Sequence, residues 1–142
     1  MKKICLLILS LIFIQCSDDI ECFTPPSSFM FSLVDSETGE NLITNGSLEQ
    51  KNIKLYKNNV IDENLQFINE NDINFFTISD FGWKTEIINY EIRTGNTVLF
   101  TLYIDAERVS EKCTYTKINE LKIENALYEL DSETGIYKIK ID

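Results

Sequence analysis

The 142-residue chain contains no histidine. That absence removes the commonest general base, the Ser-His-Asp and Cys-His arrangements, and most transition-metal sites. Glycine occurs only five times, too sparsely to assemble a loop that cradles phosphate. Alanine is scarce, and apolar residues do not recur every three or four positions, so parallel α/β architecture lacks its crossover helices. Basic residues number 13 against 23 acidic ones, a balance that excludes a nucleic-acid backbone as partner. No Cys-x-x-Cys pair occurs, so neither a redox centre nor a zinc knuckle is indicated. The "DFG" at 80–82 lacks the lysine strand and catalytic loop of a kinase. No pair of carboxylates stands out among the 23 acids as a glycosidase pair. The chain therefore reads as a non-enzyme with no cofactor and no metal site.

What is present is a globular composition, 44% apolar and 11% aromatic, long enough for one domain with a core of its own. The start, "MKKICLLILSLIFIQC", sets two lysines before an apolar run from Ile4 to Ile14. That run is about half of the ~20 residues that a membrane-spanning helix needs. It has the dimensions of a signal-peptide core. Cys16 follows it, and then the chain turns polar with "SDDIE".

This arrangement resembles the signal of a bacterial lipoprotein, with Ile14-Gln15-Cys16 as the end of the lipobox. Gln15 stands where Gly, Ala or Ser is usual, a departure that points toward the relaxed lipoboxes of Bacteroidota. The resemblance implies that residues 1–15 are removed and that Cys16 is lipidated; an ordinary secretory signal or an uncleaved anchor is the alternative. The formal charge of −10 becomes −12 once Lys2 and Lys3 leave. Electrostatics will not hold so acidic a chain on anionic lipid, so acyl chains must, at about 0.8 kcal/mol per buried methylene. In such lipoproteins the acidic cluster behind the acylated cysteine resembles a signal for display on the outer face of the cell. A solvated tether on a periplasm-facing protein is the other reading.

Once Cys5 and Cys16 are assigned to the signal and the lipid, Cys22 and Cys113 remain. In an oxidising compartment they are expected to pair, closing a loop for which chain entropy predicts about 4–5 kcal/mol. Two free thiols are the alternative.

Residues 16–27 read as an acidic, proline-containing tether and residues 28–142 as the folded domain. From Phe29 onward the pattern has period two. Phe29, Phe31 and Leu33 share a face, as do Ile53 and Leu55, and as do Val98, Phe100, Leu102 and Ile104. Turn signals separate these runs at 44–47, 57–59, 69–72, 80–83 and 93–96. The expected fold is all-β: a single antiparallel β-sandwich of transthyretin- or immunoglobulin-like kind, with about eight or nine strands. Residues 105–112 are the one place where a helical turn is expected.

The pentapeptide "DSETG" occurs at 35–39 and again at 131–135. A calcium loop needs six or more oxygen ligands at regular offsets, and each copy supplies one Asp and one Glu. A turn needs only an Asp to accept backbone N–H groups and a Gly at positive φ. Both copies are read as hairpin turns, a cation site being the alternative. Around the first copy, Asp35, Thr38, Gly39, Glu40 and Leu42 weakly resemble carboxypeptidase-regulatory-like modules, small non-catalytic β-sandwiches of envelope proteins.

The candidate binding residues are aromatic: Trp83, Tyr56, Tyr90 and Tyr103, with Tyr128 beside them. Outward-facing on a sheet they would stack on sugar rings or meet a protein; otherwise they complete the core and its rim. The expected function is a membrane-anchored, non-catalytic lipoprotein presenting an interaction module at the outer membrane. A carbohydrate-binding or scavenging accessory and an immunity or inhibitor lipoprotein are the alternatives.

Overall fold

A computed structural model describes residues 22–70 and 73–142. The signal segment, Cys16, the acidic cluster at 17–21 and half of the turn expected at 69–72 lie outside the described residues. Among the described residues eleven strands run in chain order: β1 (Cys22–Phe23), β2 (Phe29–Asp35), β3 (Ile53–Lys57), β4 (Val60–Asp62), β5 (Leu65–Glu70) and β6 (Ile73–Ile78), then β7 (Glu86–Thr94), β8 (Thr97–Ser110), β9 (Cys113–Glu124), β10 (Leu127–Leu130) and β11 (Ile136–Ile141). They form a six-stranded sheet in the order β1-β9-β8-β7-β3-β4 and a five-stranded sheet in the order β10-β11-β2-β6-β5.

The expected all-β class holds, but uniform antiparallel pairing does not. β1 runs parallel to β9, and β11 runs parallel to β2. The two parallel pairs join segments far apart in sequence, for which no hairpin constrains direction. β1 also places Cys22 and Phe23 in a sheet, inside the stretch expected to be tether.

Period-two alternation builds the core. Ile88, Tyr90 and Ile92 of β7 and Phe100, Leu102 and Ile104 of β8 are buried, opposite Phe31, Leu33, Phe76 and Ile139 of the other sheet. At about 1.5–3 kcal/mol per large apolar side chain, this burial is the main stabilising term. Val98 departs from the expected face. The β7/β8 register passes from Ile92↔Phe100 to Arg93↔Val98, so Leu99 is an extra residue. The bulge turns Leu99 inward and leaves Val98 exposed.

The helical turn expected at 105–112 is instead strand as far as Ser110, because Asp105 and Ala106 pair with both β7 and β9 and residues 107–110 continue the ladder with β9. That pairing outweighs local propensity.

The turns expected at 44–47, 57–59, 80–83 and 93–96 fall at breaks between strands. Asn58 and Asn59, both at positive φ, close the two-residue β3–β4 hairpin. Asp35 Oδ1 accepts hydrogen bonds from the amides of Glu37 and Thr38 at 3.1 and 2.7 Å. Asp131 Oδ1 repeats this with Glu133 and Thr134 at 3.0 and 3.3 Å. Gly39 and Gly135 sit at φ of 74° and 72°, so the repeated pentapeptide is one turn used twice. After the first turn the chain returns alongside β2, where Asn41 bridges Val34 and the Leu42 amide donates to the Leu33 carbonyl. There Asn41 Nδ2 donates to Ser32 Oγ at 2.9 Å and to the Asn74 carbonyl at 2.6 Å.

Candidate functional site

The connection from β6 to β7 carries Trp83, and its neighbours dictate how the ring is presented. Asp80 and Gly82 both take positive φ. Phe81, between them, is fully buried and stacks on Phe29 at 5.3 Å. With Phe81 pinned inside, Trp83 is directed outward and remains 51% exposed. It stacks on Phe23 of β1, itself 57% exposed, with ring centroids 5.8 Å apart.

Arg108 of β8 lies behind the pair, its guanidinium 4.9 Å from the Phe23 ring and 6.0 Å from the Trp83 ring. Its Nη1 donates to the Thr24 carbonyl at 3.0 Å and to Thr116 Oγ1 at 2.7 Å. Thr116 Oγ1 in turn donates to the Gly82 carbonyl at 2.6 Å. Arg108 Nη2 is buried and has no hydrogen-bond partner among the described residues. The guanidinium's compensation there is the two ring faces, a cation–π arrangement. The Gly82 amide also donates to Glu86 Oε1 at 3.1 Å. The exposed rings are thus held by a chain of hydrogen bonds, which lowers the ordering cost of any contact they make.

The disulfide closes the same end of the fold. Cys22 is bonded to Cys113, with Cα atoms 4.7 Å apart, within the range a disulfide spans. Because Cys22 and Cys113 are also register partners of β1 and β9, the bond fixes Phe23 beside Trp83.

The other expected residues do not join this cluster. Tyr90 is a correction: it is 1% exposed and belongs to the core, since it shares the inner face of β7 with Ile88 and Ile92. Burial, and then the carboxylates of Asp62, Glu86 and Asp80, push its phenol well above the usual tyrosine range. Tyr56 and Tyr103 lie on the outer face of the six-stranded sheet. Each has a cation over its ring, Arg93 at 4.5 Å and Lys122 at 5.2 Å. Arg93 is itself bonded to Glu91, so neither ring is an open stacking platform. The four expected residues are therefore split between the core, a sheet face and the end of the fold. Phe23 and Arg108 were missed: Phe23 fell in the supposed tether, and Arg108 in the supposed helical turn.

A second feature is an open sheet edge. All four residues of β10 are exposed, including Leu127 at 76%, Tyr128 and Leu130, and among the described residues β10 pairs only with β11. Near it a groove of ≈ 550 Å³ runs between Val98, Leu99, Ala126, Leu127 and Ile141.

Among the described residues no group of His, Cys, Asp and Glu could hold a metal ion. None of their helices is long and apolar enough to cross a membrane. No family model matches the chain, and neither does any curated protein or solved structure.

Proposed function

We propose that the protein is a non-catalytic lipoprotein, anchored through Cys16 at the outer membrane, probing its surroundings through a sandwich-like pair of sheets that binds an extended segment of a protein partner. The observation that carries this reading is the open edge of β10. A strand with every side chain exposed, three of its four residues apolar, presents unpaired backbone groups beside apolar surface. An added strand satisfies both: its main chain continues the ladder, and its side chains cover Leu127 and Leu130. The acidic balance of the chain opposes self-association and favours a partner of opposite charge. A glycan reading has weaker support, because cations already cover the rings of Tyr56 and Tyr103.

Two measurements test the proposal in the producing cells. An alkyne fatty acid should label the wild type and spare Cys16→Ala. A photo-crosslinking residue at position 128 should give a discrete adduct that disappears in Leu127→Lys/Leu130→Lys and is absent when the crosslinker replaces Lys54. Equal labelling of both chains removes the anchor. Adducts that are absent, or the same from either position, remove the β10 site.

A further inference from the structure

We infer that the Phe23–Trp83 pair, with Arg108 behind it, is a membrane-contact surface that rests among the headgroups of the bilayer carrying the anchor; the inference rests on the anchor reading above. Two large rings, 57% and 51% exposed, lie side by side at one end of the fold. The other exposed rings among the described residues, Tyr128 at 48% and Tyr115 at 37%, stack on no exposed partner. Cys22, the residue before Phe23, is covalently fixed to Cys113. The anchor position, Cys16, precedes Cys22 by six residues, which span at most about 20 Å even when fully extended. The 14 residues of β8 alone measure about 45 Å. The link is therefore shorter than the molecule is long, and it keeps Cys22, and with it the end bearing Phe23 and Trp83, within about 20 Å of the bilayer.

The chemistry of this end suits that location. A Trp ring is favoured at the membrane–water interface, where its apolar body is covered by lipid and its N–H remains wet, and the Phe23 ring beside it adds apolar surface. Arg108 is positioned behind the rings, and Lys84 and Lys112, both exposed, follow Trp83 and precede Cys113 in the chain. The two lysines complement headgroup phosphates, while Arg108 supports the rings from within. The acidic balance of the whole chain opposes anionic lipid, so zwitterionic headgroups are the expected occupants.

Trp83 is the only tryptophan, and its fluorescence reports this position alone. The anchored protein, reconstituted into phosphatidylcholine–phosphatidylethanolamine vesicles, should show emission shifted to shorter wavelength. Acyl chains brominated near the headgroup should quench it more than chains brominated near the methyl end. Phe23→Ser, which leaves the disulfide intact, should reduce both effects. Protein that floats with the vesicles but keeps the emission of water-exposed tryptophan, unquenched, overturns the contact and leaves the anchor reading intact. Protein without lipid on Cys16 overturns the anchor reading instead. The contact is then decided on the Cys16→Ser chain beginning at residue 16 and held by an amino-terminal hexahistidine on nickel-chelating vesicles. Quenching there supports the contact, and its absence refutes it.

Discussion

A methyl group placed on Gly82 would lie 2.6 Å from Thr116 Cγ2. The threonine cannot turn aside cheaply, because its hydroxyl accepts from Arg108 and donates to the Gly82 carbonyl. Gly82 also holds φ of 76°, where any side chain is strained. Gly82→Ala should therefore destabilise by about 1–3 kcal/mol, read as a lower urea midpoint. Thr116→Ser, which removes the methyl and keeps the hydroxyl, should recover part of that loss. An unchanged midpoint in Gly82→Ala would show that the loop yields freely and that Trp83 is not rigidly presented. Residue identity in the sequence marked the turn at Gly82 but not the neighbour that makes the glycine necessary, since Thr116 lies 34 residues away. Tyr90 was the opposite case. The alternation Ile88-Tyr90-Ile92 puts it on the inner face, so its place in the core was legible in the sequence.

At the scale of elements, turns were legible because their chemistry is local. An Asp that accepts two amides and a Gly at positive φ need no distant partner, so both copies of the pentapeptide could be read directly. Face assignments were legible only as far as the pleat was regular. The bulge at Leu99 depends on how β7 meets β8, and it reversed Val98; residues 105–110 looked helical only without β9 beside them. The first turn gives a pH prediction. The Thr38 amide, then the Thr38 hydroxyl, hold the Asp35 carboxyl below the ordinary carboxylate range. A carboxyl depressed in the folded state contributes stability above its unfolded value of about 4, and loses it as pH falls through the lower folded value. Asp35→Asn keeps an acceptor but cannot ionise. It should melt below the wild type near neutral pH, and the gap should close as pH falls below about 4. A gap of constant size across that range would mean that charge plays no part in the turn.

For the whole molecule, strand order was beyond reach of the sequence: period two says which face a residue takes, not which strand lies alongside. The parallel pairs β1–β9 and β2–β11 show the point, since each joins the beginning of the domain to its later part. The Cys22–Cys113 pair was legible from cysteine parity, and its placement has a mechanical consequence. With one attachment upstream of Cys22 and another at β10, tension would cross the disulfide directly into β9. The chain between the two cysteines, a sequence separation of 91, carries none of it. Pulling an oxidised molecule between its amino terminus and residue 128 should lengthen it beyond Cys22 by only about 50 Å, as Cys113 to Tyr128 peels away. A reductant should add about 300 Å more. Equal lengthening with and without reductant would place the load elsewhere. Most of the domain, including its core, would thus sit outside the line of force, and under the proposed anchor and β10 contact a hard tug would strip β9 and β10 while leaving β2 to β8 attached through Cys22.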